Sequence, residues 1–192
     1  MSDADGGRFT CHPTPRDGVL QVERHGIRDE RGTFARLFCV TEFAPSGLFP
    51  TGPVQINMAT TARRGTVRGM HAQERTVDGR GEAKLVTCIA GRVLDVALDL
   101  REESPTFGVF HAVELAAGGA RSLLIPPGVA HGMQALEDAT ALLYLHSAAY
   151  DPAREMGVHP EDAAIGIPWP LPVIGLSDRD RGHPGIGGSA VS

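Results

Sequence analysis

Short apolar windows that alternate with polar positions recur along the chain at spacings of about ten residues, the signature of many half-buried strands. Pro53 to Ala59 alternates cleanly: Val54, Ile56 and Met58 fall on one face, Gln55 and Asn57 on the other. Ala83 to Ile89 sets Lys84, Val86 and Cys88 on one face. Gly91 to Arg101 is the strongest strand signal, with Leu94, Val96, Leu98 and Leu100 opposed to Val93, Asp95, Ala97 and Asp99. Its carboxylates are expected to point outward or towards a neighbouring strand, and Asp95, Asp99 and Glu114 read as structural. Further strands are expected over Gly18 to Glu23, Thr33 to Val40, Thr66 to Gln73, Val109 to Leu115, Arg121 to Ile125, from Ala130 onward, and Thr140 to His146. Turn formers punctuate them: Asp29-Glu30-Arg31-Gly32, Ser104-Pro105, Ala116 to Ala120 and Pro126-Pro127-Gly128. Glu74 to Glu82 is a polar rim loop, and Asp151-Pro152 starts one or two helical turns. The pattern predicts an all-β sandwich or barrel with short helical turns near the C-terminus.

Composition narrows this. The chain has 192 residues, 42% hydrophobic, enough for one substantial core. Without a repeat or internal linker, residues 1–192 read as one domain, loose at about 1–15 and 183–192. No apolar run approaches the roughly 20 residues of a membrane helix, and the polar, acidic start at Met1 to Gly7 is neither a secretory nor a transit signal. Net charge is −5 with no basic runs, which argues against nucleic acid; a few local arginines still suffice for a small anion. Cys11, Cys39 and Cys88 are odd in number and form no Cys-x-x-Cys, which suggests reduced thiols and a cytoplasmic location.

Candidate chemistry concentrates in Arg64 to His71, Arg-Gly-Thr-Val-Arg-Gly-Met-His. In a regular strand Arg68 and His71, three apart, point to opposite faces. Gly69 between them is where a bulge can bring both to one surface. A cation beside a base would make an anion-binding and proton-transfer site. By itself the segment reads better as an edge strand with a solvated arginine and a hydrogen-bonded histidine.

Five segments in order change that balance: Asp29-Glu30-Arg31-Gly32, Arg68-Gly69-Met70-His71, Ser104-Pro105-Thr106-Phe107-Gly108, Ile125-Pro126-Pro127-Gly128-Val129-Ala130-His131-Gly132, and Trp169-Pro170 followed by Leu176-Ser177-Asp178-Arg179-Asp180. Together, over roughly residues 15 to 184, they resemble the RmlC family, the dTDP-4-dehydrorhamnose 3,5-epimerases. The resemblance implies a double-stranded β-helix (cupin-like jelly roll), a homodimer with exchanged N-terminal strands, no metal and no cofactor. It implies a nucleotide-linked 4-keto-6-deoxyhexose as substrate. By position it makes His71 the base, Asp180 its charge partner, Lys84 the group near the sugar 4-oxygen and Tyr144 the proton donor. Arg68 matches a diphosphate contact; Arg31, Gln55, Asn57, His131, Tyr150 and Arg179 match positions that line or shape the pocket. The chain departs from the family's pattern at Arg36, Ala59 and Ala72, positions that touch the nucleotide and sugar edge.

The chemistry suits these residue types. A C4 ketone acidifies the C3 and C5 hydrogens. Histidine can remove one near neutral pH, and a buried aspartate fixes its tautomer and stabilises the imidazolium. A lysine in a dry cavity stabilises the enolate oxygen, and a tyrosine across the ring returns the proton. The ketone is itself the electron sink. Three alternatives stand beside this reading: an epimerase of one centre only, a metal-dependent cupin, and a non-catalytic nucleotide-sugar-binding protein. The metal-dependent one is weakened because the chain has no His-x-His. His12, His25, His111, His146, His159 and His183 carry no motif and read as structural.

Overall fold

In a computed structural model, residues 8–76 and 80–187 are described. The strands are β1 (Phe9–Pro13), β2 (Leu20–Arg24), β3 (Ile27–Asp29), β4 (Gly32–Phe34), β5 (Gln55–Thr61), β6 (Val67–Gln73), β7 (Lys84–Ala90), β8 (Arg92–Asp99), β9 (Phe110–Ala116), β10 (Arg121–Ile125), β11 (Val129–Ala135), β12 (Thr140–His146) and β13 (Glu155–Gly157). Two short helices, α1 (Val40–Phe43) and α2 (Asp178–Gly182), flank them. One sheet runs β1-β2-β10-β7-β12-β5, the facing one β13-β6-β11-β8-β9, and β3-β4 is a separate hairpin. All these pairings are antiparallel. This is the double-stranded β-helix, the cupin-like jelly roll, that the motifs imply.

Alternation decides where each residue goes. Val86, Cys88, Leu123, Ile125 and Leu142 from one sheet meet Val93, Ala97, Val129 and Met133 from the other in the barrel interior. Leu85, Leu124 and Leu145 point outward from the first sheet and are covered by Phe43 and Phe49 with Phe38; Phe38 and Phe43 stack at 4.9 Å. Val96, Leu98 and Ala130 point outward from the second sheet, beneath Val158 and Ile167, with Trp169 packed against them. Each large side chain buried this way stabilises the fold by about 2–3 kcal/mol.

That double coverage decides between the two expectations for the β8 carboxylates, and Asp95 turns to His131 on the neighbouring strand β11. Asp95 and Asp99 do not face outward: they are 0% and 1% exposed. The apolar face of β8 is claimed by the C-terminal segment, so the carboxylate face must line the interior. Asp99 is satisfied there by Arg101, Ser104 and Thr106.

The ends also differ from expectation. β1 pairs with β2 of its own chain, Phe9 opposite Arg24, and Ile186 packs into the third cluster. Residues 1–7 and 188–192 of the expected loose ends lie outside the described residues, as do 77–79 of the rim loop. The strand expected over Thr33 to Val40 is paired only to Phe34, and Val40 starts α1. The Asp151 turn is as expected: its carboxylate accepts from Ala153 N at 3.0 Å, ahead of a 3-10 turn over Pro152–Arg154. Among the described residues no helix is long and apolar enough to cross a membrane.

Candidate active site

A cavity of about 920 Å³ opens at one end of the barrel, lined from β5, β6, β7, β11, β12, β13 and α2. β6 sets its geometry. The register against β11 shifts between His131–His71 and Met133–Arg68, and Gly69 takes φ +119°. A Cβ at Gly69 would fall 2.5 Å from the Gly132 Cα, so only glycine fits. The irregularity puts Arg68 and His71, three apart, on the same cavity wall, as the sequence required.

His71 meets Asp180 from α2, 109 residues away, with His71 Nε2 2.7 Å from Asp180 Oδ1. Asp180 is 3% exposed. Ser177 caps α2, its Oγ accepting from Asp180 N at 3.0 Å, and this fixes the carboxylate's approach. Burial pushes the Asp180 carboxyl up, but the hydrogen bond and charge of His71 and the Ser177 hydroxyl outweigh it and hold the group below its usual value. An ionised carboxylate only accepts, so Nε2 carries the proton and Nδ1 keeps the lone pair. Arg179 Nη2 stands 3.1 Å from the same Nε2. Both nitrogens carry protons in this tautomer, so that approach is a close contact and not a hydrogen bond.

Deeper in, Lys84 Nζ donates to the His71 carbonyl at 3.2 Å and pairs with Glu82 at 3.3 Å. Glu82 also binds His146 Nδ1 at 2.7 Å, and Asn57 Nδ2 lies 3.4 Å from His146 Nε2. Burial alone would raise the Glu82 pKa; the His146 hydrogen bond and the Lys84 ammonium outweigh it and bring it to about 2. Glu82 therefore anchors the lysine at the cavity floor.

Tyr144 faces the same cavity from β12. Burial, then the Asp95 charge, pushes its phenol well above the usual tyrosine range, so it holds its proton. The His131 ring meets it edge-on at 5.5 Å, and the His146 ring stacks at 6.0 Å. His131 is itself fixed by Asp95 at 2.7 Å. At the mouth, Arg68 donates to Thr61 Oγ1 at 3.1 Å and the Thr60 carbonyl at 3.0 Å, leaving further N–H groups for a ligand. Tyr150 donates to Glu155 Oε2 at 2.6 Å, and Glu155 Oε1 holds Arg179 at 2.8 Å. A base, a neutral acid and an ammonium thus share one cavity with an arginine at its mouth, which is the equipment for moving a proton next to a carbonyl of an anionic ligand.

Of the expected site residues, His71, Asp180, Tyr144, Lys84, Arg68, Asn57, His131, Tyr150 and Arg179 line this cavity. Gln55 does not; its Oε1 accepts from Tyr150 N at 3.1 Å and so shapes the wall from behind. Arg31 does not line the cavity of its own chain. It sits on the β3–β4 turn with 84% of its side chain exposed and is tied to Asp29 at 2.5 Å, because that hairpin pairs with neither main sheet. Of the departures, Ala59 and Ala72 line the cavity, whereas Arg36 pairs with Glu42 at 2.7 Å. Sequence reasoning missed Glu82, Glu155 and His146. The last was findable: two residues from Tyr144 on one strand, it shares its face. His71, Asp180 and His183 are the described residues whose ligand atoms cluster closely enough for a metal.

Comparison with known proteins agrees with this geometry. The sequence profile of the family described as dTDP-4-dehydrorhamnose 3,5-epimerase matches residues 13–187. A dTDP-4-dehydrorhamnose 3-epimerase of Streptomyces niveus is 38% identical over 169 residues, 88% of this chain and 80% of that protein. A dTDP-4-dehydrorhamnose 3,5-epimerase of Streptomyces griseus is 38% identical over 177 residues, 91% and 85% of the two chains. The structure of dTDP-6-deoxy-D-glucose-3,5-epimerase RmlC from Legionella pneumophila in complex with dTDP-4-keto-L-rhamnose superposes with a TM-score of 0.83 at 32% identity, covering 93% of each chain. With a family match over nearly its whole length, this chain belongs to the dTDP-4-dehydrorhamnose 3,5-epimerase family.

Proposed function

We propose that the cavity binds a nucleotide-linked (dTDP) 4-keto-6-deoxyhexose and inverts C3, C5 or both by enolisation, in deoxysugar biosynthesis. His71 Nδ1 removes the proton next to the ketone, and Asp180 stabilises the imidazolium. Lys84 meets the developing enolate oxygen, and Tyr144 protonates the carbon from the other ring face. Arg68 takes the diphosphate and uses that remote binding to position the sugar. Asn57, His131, Tyr150 and Arg179 complete the pocket, with Gln55 supporting Tyr150.

The observation that carries this reading is the 2.7 Å His71–Asp180 dyad opening onto the cavity that also holds the protonated Tyr144. The test is proton NMR of dTDP-4-keto-6-deoxyglucose with the protein in deuterated water. Deuterium at C3 and C5 supports a double epimerase, and label at one carbon identifies a single-centre one. No label from folded protein, or full activity in His71→Asn, sinks the mechanism.

The same reading makes the protein a homodimer with exchanged N-terminal strands. Two features support it: Val54, just ahead of the edge strand β5, and Ile56 and Met58 on it are each more than half exposed, and the β3–β4 hairpin leaves Phe34 76% exposed. Such apolar edges call for a partner. Exchange would carry Arg31 to the neighbouring protomer's cavity. A sedimentation measurement showing only monomer overturns this arrangement. A cytoplasmic location fits three unpaired cysteines.

A further inference from the structure

At one corner of the cavity, His71 and Asp180 back onto a histidine outside its lining, one ligating group more than proton transfer uses. His71, Asp180 and His183 each present one ligand atom, and these atoms lie within 4.8 Å of one another. His183 follows α2 directly. Its ring meets His71 edge-on at 5.5 Å and packs over Gly157, where a Cβ would fall 2.5 Å from its Nε2. That Nε2 is buried and has no hydrogen-bond partner among the described residues. Two imidazole nitrogens and one carboxylate oxygen are the donor set of a three-ligand zinc site.

We propose that this corner is an inhibitory zinc site, in which Zn²⁺ bridges His71 Nε2 and Asp180 Oδ1 and takes His183 as its third protein ligand. The proton now on His71 Nε2 moves to Nδ1 as the metal takes the Nε2 lone pair, so the neutral ring ends with one N–H and no free base. If the ring starts as imidazolium, one proton is released to solvent, and affinity rises with pH. Ligand atoms on tetrahedral zinc lie roughly 3.4 Å apart, so the His71–Asp180 pair, now at 2.7 Å, must open to admit the metal while His183 draws in from within 4.8 Å. Arg179 is the opposing charge: its Nη2 is 3.1 Å from His71 Nε2. It is held by Glu155 and its side chain is 53% exposed, so it can turn to solvent as the metal enters. Ser177, whose hydroxyl supports the Asp180 carboxylate, supplies the outer hydrogen bond that metal-binding carboxylates use.

Metal binding stands on the geometry alone; the inhibition rests on His71 being the base. The full-length protein, stripped with chelator and desalted, is titrated with Co²⁺ and followed by visible d–d absorption, then back-titrated with Zn²⁺. Deuterium exchange into substrate is measured on the same samples. The expected result is one equivalent of tetrahedral-type Co²⁺ absorption, displaced by zinc, with exchange falling in step with occupancy. His183→Phe and His183→Asn should each weaken binding by about tenfold or more, and each should need correspondingly more zinc to lose its own metal-free rate. Absence of the d–d bands, or unchanged affinity in both folded variants, overturns the site. Bound metal with undiminished exchange overturns the inhibition and the role of His71 while leaving the site intact.

Discussion

Replacing Asp180 by Asn keeps the side chain's size and removes its charge. In the reaction His71 becomes an imidazolium 2.7 Å from the Asp180 oxygen. Two unit charges about 4 Å apart attract by roughly 4 kcal/mol at an effective dielectric of about 20. The His71 side chain is 27% exposed, and solvent screening reduces this to about 3 kcal/mol. At about 1.4 kcal/mol per decade, kcat should fall roughly a hundredfold. A second effect acts in the same direction: the asparagine amide can donate to Nε2, which places the ring proton on Nδ1, where the base must be free. The assay is the rate of deuterium entry at C3 and C5, with the melting temperature measured alongside to confirm folding. A folded variant within threefold of wild type would falsify the dyad, because no dielectric consistent with a 3% exposed carboxylate makes its charge so weak.

Tyr144→Phe should cut inversion by about a hundredfold or more yet leave deuterium entry with retention, since His71 can return the proton it took; equal losses of both would remove Tyr144 from the acid role. Lys84→Ala, which takes the cation from the enolate oxygen, should lower kcat by roughly a hundredfold with little change in KM; a pure KM effect in steady-state kinetics would make Lys84 a binding residue only. Glu82 titrates near 2 when folded instead of near 4.5. Its depressed pKa contributes about 3 kcal/mol, fully present above about pH 4.5 and lost as pH falls towards 2. Glu82→Gln should flatten that limb of urea-measured stability, and an unchanged slope would refute it. Gly69→Ala should cost about 2 kcal/mol or more from the positive φ and the clash with Gly132; a wild-type urea midpoint would contradict this.

The sequence by itself determined the succession of strands along the chain, the all-β class and the focal segment, because alternation is a local property and turn residues act where they stand. His71 was legible for the same reason, since its motif is contiguous and strand periodicity marks Gly69 as the place for a bulge; Tyr144 was named only through the resemblance. Other assignments belonged to the tertiary structure. Asp180 reaches His71 across 109 residues only because Ser177 caps α2 against β6. Glu82 and His146 looked structural until antiparallel pairing put His146 opposite Lys84 and closed the Lys84–Glu82–His146 cluster. Asp95 was expected outside or towards a neighbouring strand; no local pattern records that a distant C-terminal segment covers the apolar face of β8 and turns the carboxylate inward to His131 on the next strand. Arg31 shows the converse, since its motif is local while its distance from the cavity depends on where a whole hairpin packs. Periodicity fixes which face a residue shares, and only long-range packing fixes what that face meets.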